Sequence, residues 1–483
     1  GRGGAAMVGA AVAGESDASD DEEESDPNDD TIVHSDSNFS VGDATDHPAM
    51  VWESGDAAAQ GISTTQATIS LVIVIVGAGI MALPMLPKQG GINAVFLLTI
   101  FAAVAVSEAA GSFYKANWAW NRTQKTQLRT FEDFGVAALG KPGGIIVRCV
   151  QIGWYMGACS GFIVLMANML HGLFGISYLV CVGTLAPLLW FLCMLRNLTA
   201  VAKLVPVAVI GALGSAVLII VSSTKAQHVW MSWSDEDIEK VHSFGIQGFL
   251  PLGSVTATLL GAYSVMGSVP PILNEMKKPK GFPTAIKFAI IAAATIYLCV
   301  IAFGYWGFGN FIQADIRRSM ARFPANATEA FGVPASHWTG ESDRLLPAVM
   351  SCCVLTNLLI SYPLCMMSIF VSIQGLWCAM AACQPGQFRN YMMRSTFVLV
   401  TVLIAMAVPN FGVLFAVFAS IGGPVQGLFL PILFGALIRK KIGAKGSSPL
   451  RWFFHAVILI FGLFGISFGL VDSLGNLLEC FGT

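Results

Sequence analysis

The groups best able to do chemistry in this sequence are backbone groups in one interrupted apolar stretch. It runs from Ser63 to Gly91 and reads STTQATISLVIVIVGAGIMALPMLPKQGG, with Gly77, Ala78 and Gly79 near its middle and two prolines after them. Glycine weakens a helix and proline removes a backbone donor, so we predict two half-helices joined by an unwound segment. At membrane depth such a segment either lines a cavity that binds charged groups or is a kink packed against its neighbours.

A second stretch with the same character lies further along the chain. It reads VTATLLGAYSVMGSVPPILNEMKKP and contains Gly261, Gly267 and the pair Pro270 and Pro271. Two breaks at corresponding positions favour the cavity over the kink, because broken helices in the two halves of a secondary transporter form its binding site.

Composition defines the environment of both stretches. Hydrophobic residues make up 55% of the 483 residues and charged residues only 12%, whereas soluble chains carry about a quarter charged residues. We therefore expect an integral membrane protein and no nucleic-acid partner. Most of the 11 cysteines fall in apolar segments, so neither a disulfide framework nor a metal site is indicated, and no nucleophile and base pair points to an enzyme.

Eleven apolar segments, numbered one to eleven here, are long enough to cross a bilayer. They lie at about 66–87, 92–114, 144–170, 174–195, 203–222, 247–272, 285–308, 345–373, 391–409, 412–437 and 452–475. Most of the 27 lysine and arginine residues fall in the loops and flanks on one side, which predicts a cytosolic amino terminus and an external or lumenal carboxyl terminus. The predicted outer loop 309–344 carries the sequon Asn326-Ala327-Thr328, so Asn326 is a candidate for glycosylation.

The spacing of the breaks predicts the domain organisation. Segments one and six are five apart, so the second half must enter the membrane in the opposite sense. We predict an all-α polytopic membrane protein with a 5+5 inverted repeat plus one helix. Its parts are a disordered acidic cytosolic tail over 1–62, a transporter domain over 63–475 with repeats 63–222 and 245–437 and an extra helix 452–475, and a short end over 476–483.

Five motifs then resemble one family. They are VGAGIMALPMLPKQGG in segment one, NEMKKPKGFPTAIK after segment six, YLCVIAFGYWGFGN in segment seven, LISYPL in segment eight and FAVFASIGGPVQGLFLPILFGAL in segment ten. In this order they resemble the amino acid/auxin permease family over residues 63–475. The resemblance implies eleven helices in a fold like that of the bacterial leucine transporter, and amino acid transport coupled to protons or sodium. NEMKKP is closer to the proton-coupled and vacuolar branches.

The resemblance also implies a substrate site at the two breaks. Backbone amides of the first break would bind the substrate carboxylate, and these belong to Gly77, Ala78, Gly79 and Ile80. The second break would supply carbonyl acceptors for the amino group and a wall for the side chain, from Ala262, Tyr263, Ser264 and Met266. Some animal members carry a histidine where this chain has Met266, so no role of that histidine is transferred. Tyr155 and Cys159 of segment three either face the same cavity or pack between helices.

The coupling ion is either Na⁺ or H⁺, and no other cofactor is expected. Sodium sites of this fold take hydroxyl ligands from segment eight, where Thr356, Asn357 and Ser361 are candidates, although such residues also join helices. For protons, Glu108 is the candidate, because an intramembrane carboxylate is costly. Its alternative is a structural role near Lys115. His171 and His455 lie near segment ends, where we expect solvated or capping side chains.

Two functions follow from these expectations. The first is a secondary transporter of neutral amino acids, surrounded by lipids in a vacuolar, lysosomal or plasma membrane. The alternative is an amino-acid-sensing receptor that resembles a transporter and signals through its acidic tail to a cytosolic partner. An ion channel is disfavoured, since no ring of charges or filter repeat is present.

Overall fold

The structure is a computed structural model that describes residues 62–124, 128–194, 205–230, 241–313, 315–320, 345–381, 387–444 and 448–482. The predicted acidic tail, apart from its last residue Ile62, and the glycosylation candidate Asn326 lie outside these residues. Within them the regular structure is helical, and the only β-type pairing is an isolated bridge between Ile62 and Met276.

Each predicted apolar segment is helical. In chain order the segments are Thr64–Ile75 with Leu86–Gly90, Ile92–Gln124, Lys141–Phe174, Tyr178–Met194, Val205–Trp230, Phe249–Ala262 with Val269–Glu275, Phe282–Phe308, Leu345–Ala381, Gln387–Ala407, Phe411–Pro424 with Leu430–Lys441, and Pro449–Gly482. Among the described residues, nine helices are long and apolar enough to span a membrane, and the bent pair of segment one makes ten. Segment four has 17 residues, the short end of the range for a spanning helix.

One helix was missed by the sequence analysis. Residues Phe131–Leu139 form a helix inside the loop predicted between segments two and three. Thr130 caps its first turn, accepting a bond from the Asp133 amide while the Asp133 carboxylate accepts one from the Thr130 amide. An ion pair between Glu132 and Arg148 joins this helix to segment three. The hydropathy pattern did not reveal it, because nine residues are too few to span a bilayer.

Segments one and six are antiparallel neighbours. The Ile62 amide donates to the Glu275 carbonyl at 2.8 Å, so segment one begins where segment six ends. At the opposite end Gly90 packs against Leu252 and Val255, so segment one ends where segment six begins. The two interrupted helices therefore run side by side over their whole length.

Other segments that are five apart in sequence also contact each other. Tyr114 near the end of segment two stacks on Phe282 at the start of segment seven, with ring centroids 5.7 Å apart. The Tyr178 hydroxyl at the start of segment four donates to the Ala405 carbonyl near the end of segment nine at 2.7 Å. These contacts are antiparallel, as an inverted arrangement of two halves requires.

Segment eleven packs on the first half of segment six through small residues. A Cβ on Gly253 would lie 2.7 Å from the Gly469 amide nitrogen and would collide with Phe468. Within lipid, close backbone approach of this kind replaces the hydrophobic effect as the source of helix association. The position of the broken segment six is thus fixed by a helix outside the predicted repeats.

We predict that Gly253→Ala lowers thermal stability, because overpacking of a tight helix contact costs about 1–3 kcal/mol. The matched control is Gly183→Ala, since a Cβ there meets nothing within 4 Å. The measurement is the midpoint of heat-induced loss of the monodisperse peak in detergent. Equal midpoints for the two variants would contradict the close packing.

Candidate functional site

Segment one is broken where the glycines predict. The helix Thr64–Ile75 ends before Val76 and Gly77, short 3-10 turns cover Ala78–Met81 and Leu83–Met85, and a further helical turn follows. The two parts are bent by 51°. The first amides of a new helix have no carbonyl within that helix, so the break is a source of backbone donors.

Segment six is broken at Tyr263 and Ser264. The helix Phe249–Ala262 ends there, and a 3-10 turn over Met266–Ser268 leads into Val269–Glu275. Proline is favoured in the first turn of a helix, and the two prolines of the second half take that position. The sequence signal that predicted the break is therefore also what starts the second half-helix.

The two breaks meet in the interior. A Cβ placed on Gly79 would lie 3.4 Å from the Ala262 Cβ and 3.7 Å from the Phe415 ring. Ala262, Tyr263 and Met266 are buried. The predicted substrate residues of the two segments are thus brought together around the Gly79 and Ala262 contact.

A tyrosine that the sequence analysis did not single out joins the two breaks. The Tyr297 hydroxyl of segment seven lies 2.7 Å from the Ile75 carbonyl and 3.0 Å from the Ala262 carbonyl, which end the first halves of segments one and six. Its side chain is fully buried, and its ring packs on Tyr263 with centroids 5.0 Å apart. Because a hydroxyl has one hydrogen, the two carbonyls share a single donor.

Tyr155 reaches the second break, and Cys159 does not. The Tyr155 hydroxyl lies beside the side chains of Gln426, Ser268 and Ser368, from segments ten, six and eight. A Cβ on Gly267 would collide with this hydroxyl. The Cys159 sulfur instead lies 4.0 Å from a segment-eight carbonyl, that of Tyr362, so it packs between helices.

Three buried polar atoms near the second break have no hydrogen-bond partner. They are the Tyr263 hydroxyl, the Ser264 hydroxyl and the Gln426 side-chain oxygen. Gln426 is only 1% exposed and lies in a π-helical turn, Val425–Phe429, that interrupts segment ten. Buried polar groups are normally satisfied, and π-turns are frequent at functional sites, so these atoms are available to a polar ligand.

A small cavity adjoins the first break. Its volume is about 10 Å³, close to the space of one water molecule, and its lining comes from segments one, five and eight. The lining residues are Gly77, Ile80, Met81, Ala212, Ser215, Val354 and Asn357.

Of the three segment-eight candidates, only Asn357 lines this cavity. Its amide donates to the Ala208 carbonyl of segment five at 2.8 Å. The Thr356 hydroxyl donates to the Cys352 carbonyl of its own helix, and Ser361 does not line the cavity either. The contribution of Ser215, from segment five, was not predicted.

Glu108 lies apart from both breaks. Its carboxylate accepts a hydrogen bond from Arg451 at 2.7 Å and lies 3.0 Å from the His455 ring nitrogen, both in segment eleven. The expectation that His455 is solvated or capping was wrong, because its side chain is 1% exposed and one ring nitrogen lies against the Glu108 carboxylate while the other has no hydrogen-bond partner. His171 fits its expectation, with its ring nitrogen 2.6 Å from the Ile176 carbonyl past the helix end.

Within the described ranges, no three His, Cys, Asp or Glu side chains are grouped so that they could hold a metal ion. The site is therefore built from backbone groups, hydroxyls and amides. Tyr297, Gln426 and Ser215 were missed, and all three could have been found as polar side chains within apolar runs.

An all-helical bundle with this many apolar segments is a multi-pass membrane protein. The model of one family, described as transmembrane amino acid transporter protein, matches residues 60–474. The chain belongs to that family, so amino acid transport is its function class and the resemblance drawn from the five motifs is confirmed.

Relatives from two kingdoms agree. "Amino acid transporter AVT1C" of Arabidopsis thaliana is 24% identical over 433 residues, covering 86% of this chain and 70% of its own. "Amino acid transporter AVT3B" of the same plant is 22% identical, with coverage of 85% and 92%. "Proton-coupled amino acid transporter-like protein pathetic" of Drosophila melanogaster is 20% identical, with coverage of 84% and 83%. These relatives are named as transporters, so the expectation of a transporter and not an enzyme is confirmed.

We predict that Tyr297→Phe lowers amino acid uptake in proteoliposomes by about tenfold, a change of about 1.4 kcal/mol. The reason is that two buried carbonyls lose their shared donor, which costs about 1–3 kcal/mol. Tyr178→Phe is the matched control, because it removes one hydroxyl-to-carbonyl bond between segments four and nine. Both variants should lose thermal stability, and only Tyr297→Phe should lose uptake. Similar uptake by the two variants would contradict a role for the Tyr297 hydroxyl in transport.

Proposed function

We propose that this chain is a secondary active transporter that moves neutral amino acids by alternating access, driven by a proton or sodium gradient. The observation that carries the proposal is the contact between the two broken segments at Gly79 and Ala262. Two half-helix ends that meet in the interior offer donors and acceptors to the same ligand, which suits a zwitterion.

The polarity of the two breaks supports opposite roles toward the substrate. The Gly77 amide donates to the Ile75 carbonyl and the Ile80 amide to the Gly77 carbonyl, so the amides that the first break offers are those of Ala78 and Gly79. Amides at the start of a helix bind carboxylates. The second break offers carbonyl acceptors, together with the unsatisfied oxygens of Tyr263, Ser264 and Gln426. Those oxygens suit an ammonium group, which carries three donors.

The side chains around the breaks support a neutral substrate. Ala262, Tyr263, Met266 and Phe415 are apolar or aromatic, and Gln426 is an uncharged amide. A charged substrate side chain would need an opposite charge, since an unpaired charge away from water is costly. Glu108, the intramembrane carboxylate singled out from the sequence, does not supply such a charge, because it is paired with Arg451.

Alternating access is supported by the arrangement of the halves. Segments one and six, two and seven, and four and nine contact each other as antiparallel pairs. We propose that eleven segments form two inverted repeats of five, plus segment eleven, and that one half rocks against the other about the breaks. The basic side of the bundle would face the cytosol.

For the coupling ion we propose the cavity beside the first break. It combines backbone of Gly77 with the side chains of Ser215 and Asn357, and it has room for about one water molecule. Oxygen ligands suit Na⁺, and a single water suits proton transfer. We therefore propose either Na⁺ or H⁺ as the coupling ion. The name of the Drosophila relative favours H⁺.

The substrate site is tested by two substitutions at Gly79. A single Cβ fits at 3.4 Å from Ala262, an ordinary contact, whereas the two methyl groups of valine would press on Ala262 and Phe415. We expect Gly79→Ala to retain most uptake of a labelled neutral amino acid in proteoliposomes. We expect Gly79→Val to fall below about a tenth, since overpacking costs about 1–3 kcal/mol. A monodisperse Gly79→Val protein with normal uptake would overturn the site.

Coupling is tested by imposing ΔpH and a sodium gradient separately on proteoliposomes. Only the coupling ion should drive accumulation above equilibrium. Asn357→Leu should lose accumulation and keep exchange between equal substrate pools, because the ion site and the substrate site are adjacent and distinct. Thr356→Val is the control and should keep both, since the Thr356 hydroxyl bonds only its own helix. Accumulation by Asn357→Leu equal to that of the control would reject the cavity as the ion site.

A further inference from the structure

An apolar groove lies on the lipid-facing surface of the bundle. Its volume is about 520 Å³ and it lies between segments two and eleven. Its lining includes Leu97, Ile100, Phe101, Val104, Phe454 and Phe461. Phe101 and Phe461 meet edge to face with centroids 4.7 Å apart and form its floor. Leu97 and Ile100 are at least half exposed.

A group of cations lies at one end of this groove. Segment eleven enters there with Arg451, which pairs with Glu108 of segment two. Lys115 of segment two lies within electrostatic range of Arg451, Arg439 and Lys287. Arg451 and Arg439 lie within electrostatic range of Glu108 as well, so four cations are grouped with one carboxylate and this part of the surface is net positive. Lys115 and Lys287 are exposed to solvent.

The groove and the cations are in register along segment two. An α-helix rises 1.5 Å and turns 100° per residue, so Val104 and Lys115, eleven residues apart, lie on nearly the same face. By the same rise, Val104 is about 6 Å and Leu97 about 16 Å from the level of the Glu108 ion pair. One leaflet of hydrocarbon is about 15 Å thick. The groove therefore extends over one leaflet from the level of the Glu108 ion pair. Lys115 lies about 10 Å beyond that level, so an acyl chain whose headgroup is held at Lys115 would reach the groove with its distal part.

An aromatic residue marks the same level as the membrane interface. Trp452 is 45% exposed and meets the buried His455 ring edge to face at 6.0 Å. Tryptophan is enriched at the height of lipid headgroups. The basic residues beside it are thus at the depth of phosphate groups, and the groove is at the depth of acyl chains.

We propose that this groove is a binding site for an anionic phospholipid of the adjoining leaflet. An acyl chain would occupy the groove between segments two and eleven, and the headgroup phosphate would be held by Lys115 and Lys287. The charge pattern selects an anionic lipid over a zwitterionic one, because each lysine or arginine near an anionic headgroup contributes about 1 kcal/mol. The lipid site lies on a different surface from the two breaks. The proposal therefore does not depend on the proposed substrate site.

The test is native mass spectrometry of the purified full chain in detergent, titrated with dioleoylphosphatidylglycerol or with dioleoylphosphatidylcholine. We expect tighter retention of phosphatidylglycerol. Lys115→Gln with Lys287→Gln should weaken phosphatidylglycerol by at least about tenfold, given the contribution of each charge. Phosphatidylcholine should be unchanged by this double variant.

Two further variants keep the inference falsifiable. Ile100→Trp fills the groove and should weaken both lipids, which separates the acyl-chain contact from the charge. Lys277→Gln with Lys278→Gln removes two exposed lysines of the loop after segment six and is the charge-matched control. Equal retention of the two lipids by the unmodified chain would overturn the proposal. An equal loss of phosphatidylglycerol in the control would also overturn it, since the effect would then be net charge.

Discussion

The structure depends on how backbone groups are satisfied where two membrane helices stop. Within a bilayer each backbone carbonyl needs a partner in the protein, because no water reaches it. The first halves of segments one and six end at Ile75 and Ala262, and one hydroxyl, that of Tyr297, bonds both terminal carbonyls. Segment seven thus holds the two breaks side by side, and the contact of Gly79 with Ala262 follows from it.

That arrangement explains why the interior is polar without being charged. Unwound backbone exposes dipoles, and the unsatisfied oxygens of Tyr263, Ser264 and Gln426 add to them. Uncharged groups cost less to bury than ions and can be satisfied or released as a ligand enters and leaves. Ion pairs among the described residues lie elsewhere, and they include Glu108 with Arg451 and His455, Glu132 with Arg148 beside the short helix, and Asp315 with Arg317.

The sequence predicted the positions of the long apolar helices and of both breaks, because hydropathy and the effects of glycine and proline are local properties. It did not predict which side chains meet across segments. Tyr297 stands in an apolar run, and its role depends on two carbonyls from segments distant in sequence. Asn357 and Thr356 are adjacent in sequence, and only the rotation of segment eight decides that Asn357 lines the cavity. The role of Glu108 depends on segment eleven, which lies outside the predicted repeats.

The single hydrogen of Tyr297 also sets an energetic limit on movement at the centre. The Ile75 carbonyl also accepts from the Gly77 amide at 2.9 Å, so it keeps a partner if the first half of segment one shifts and the hydroxyl donates fully to the Ala262 carbonyl. The difference between such states is a fraction of one hydrogen bond, about 1 kcal/mol or less. A ligand shifts an equilibrium only by its differential affinity for the two states, so a small gap lets a weakly bound amino acid change their populations. A charged residue in place of Tyr297 would stabilise one of the two states more strongly. The free-energy difference between the states would then exceed what a weakly bound amino acid can supply.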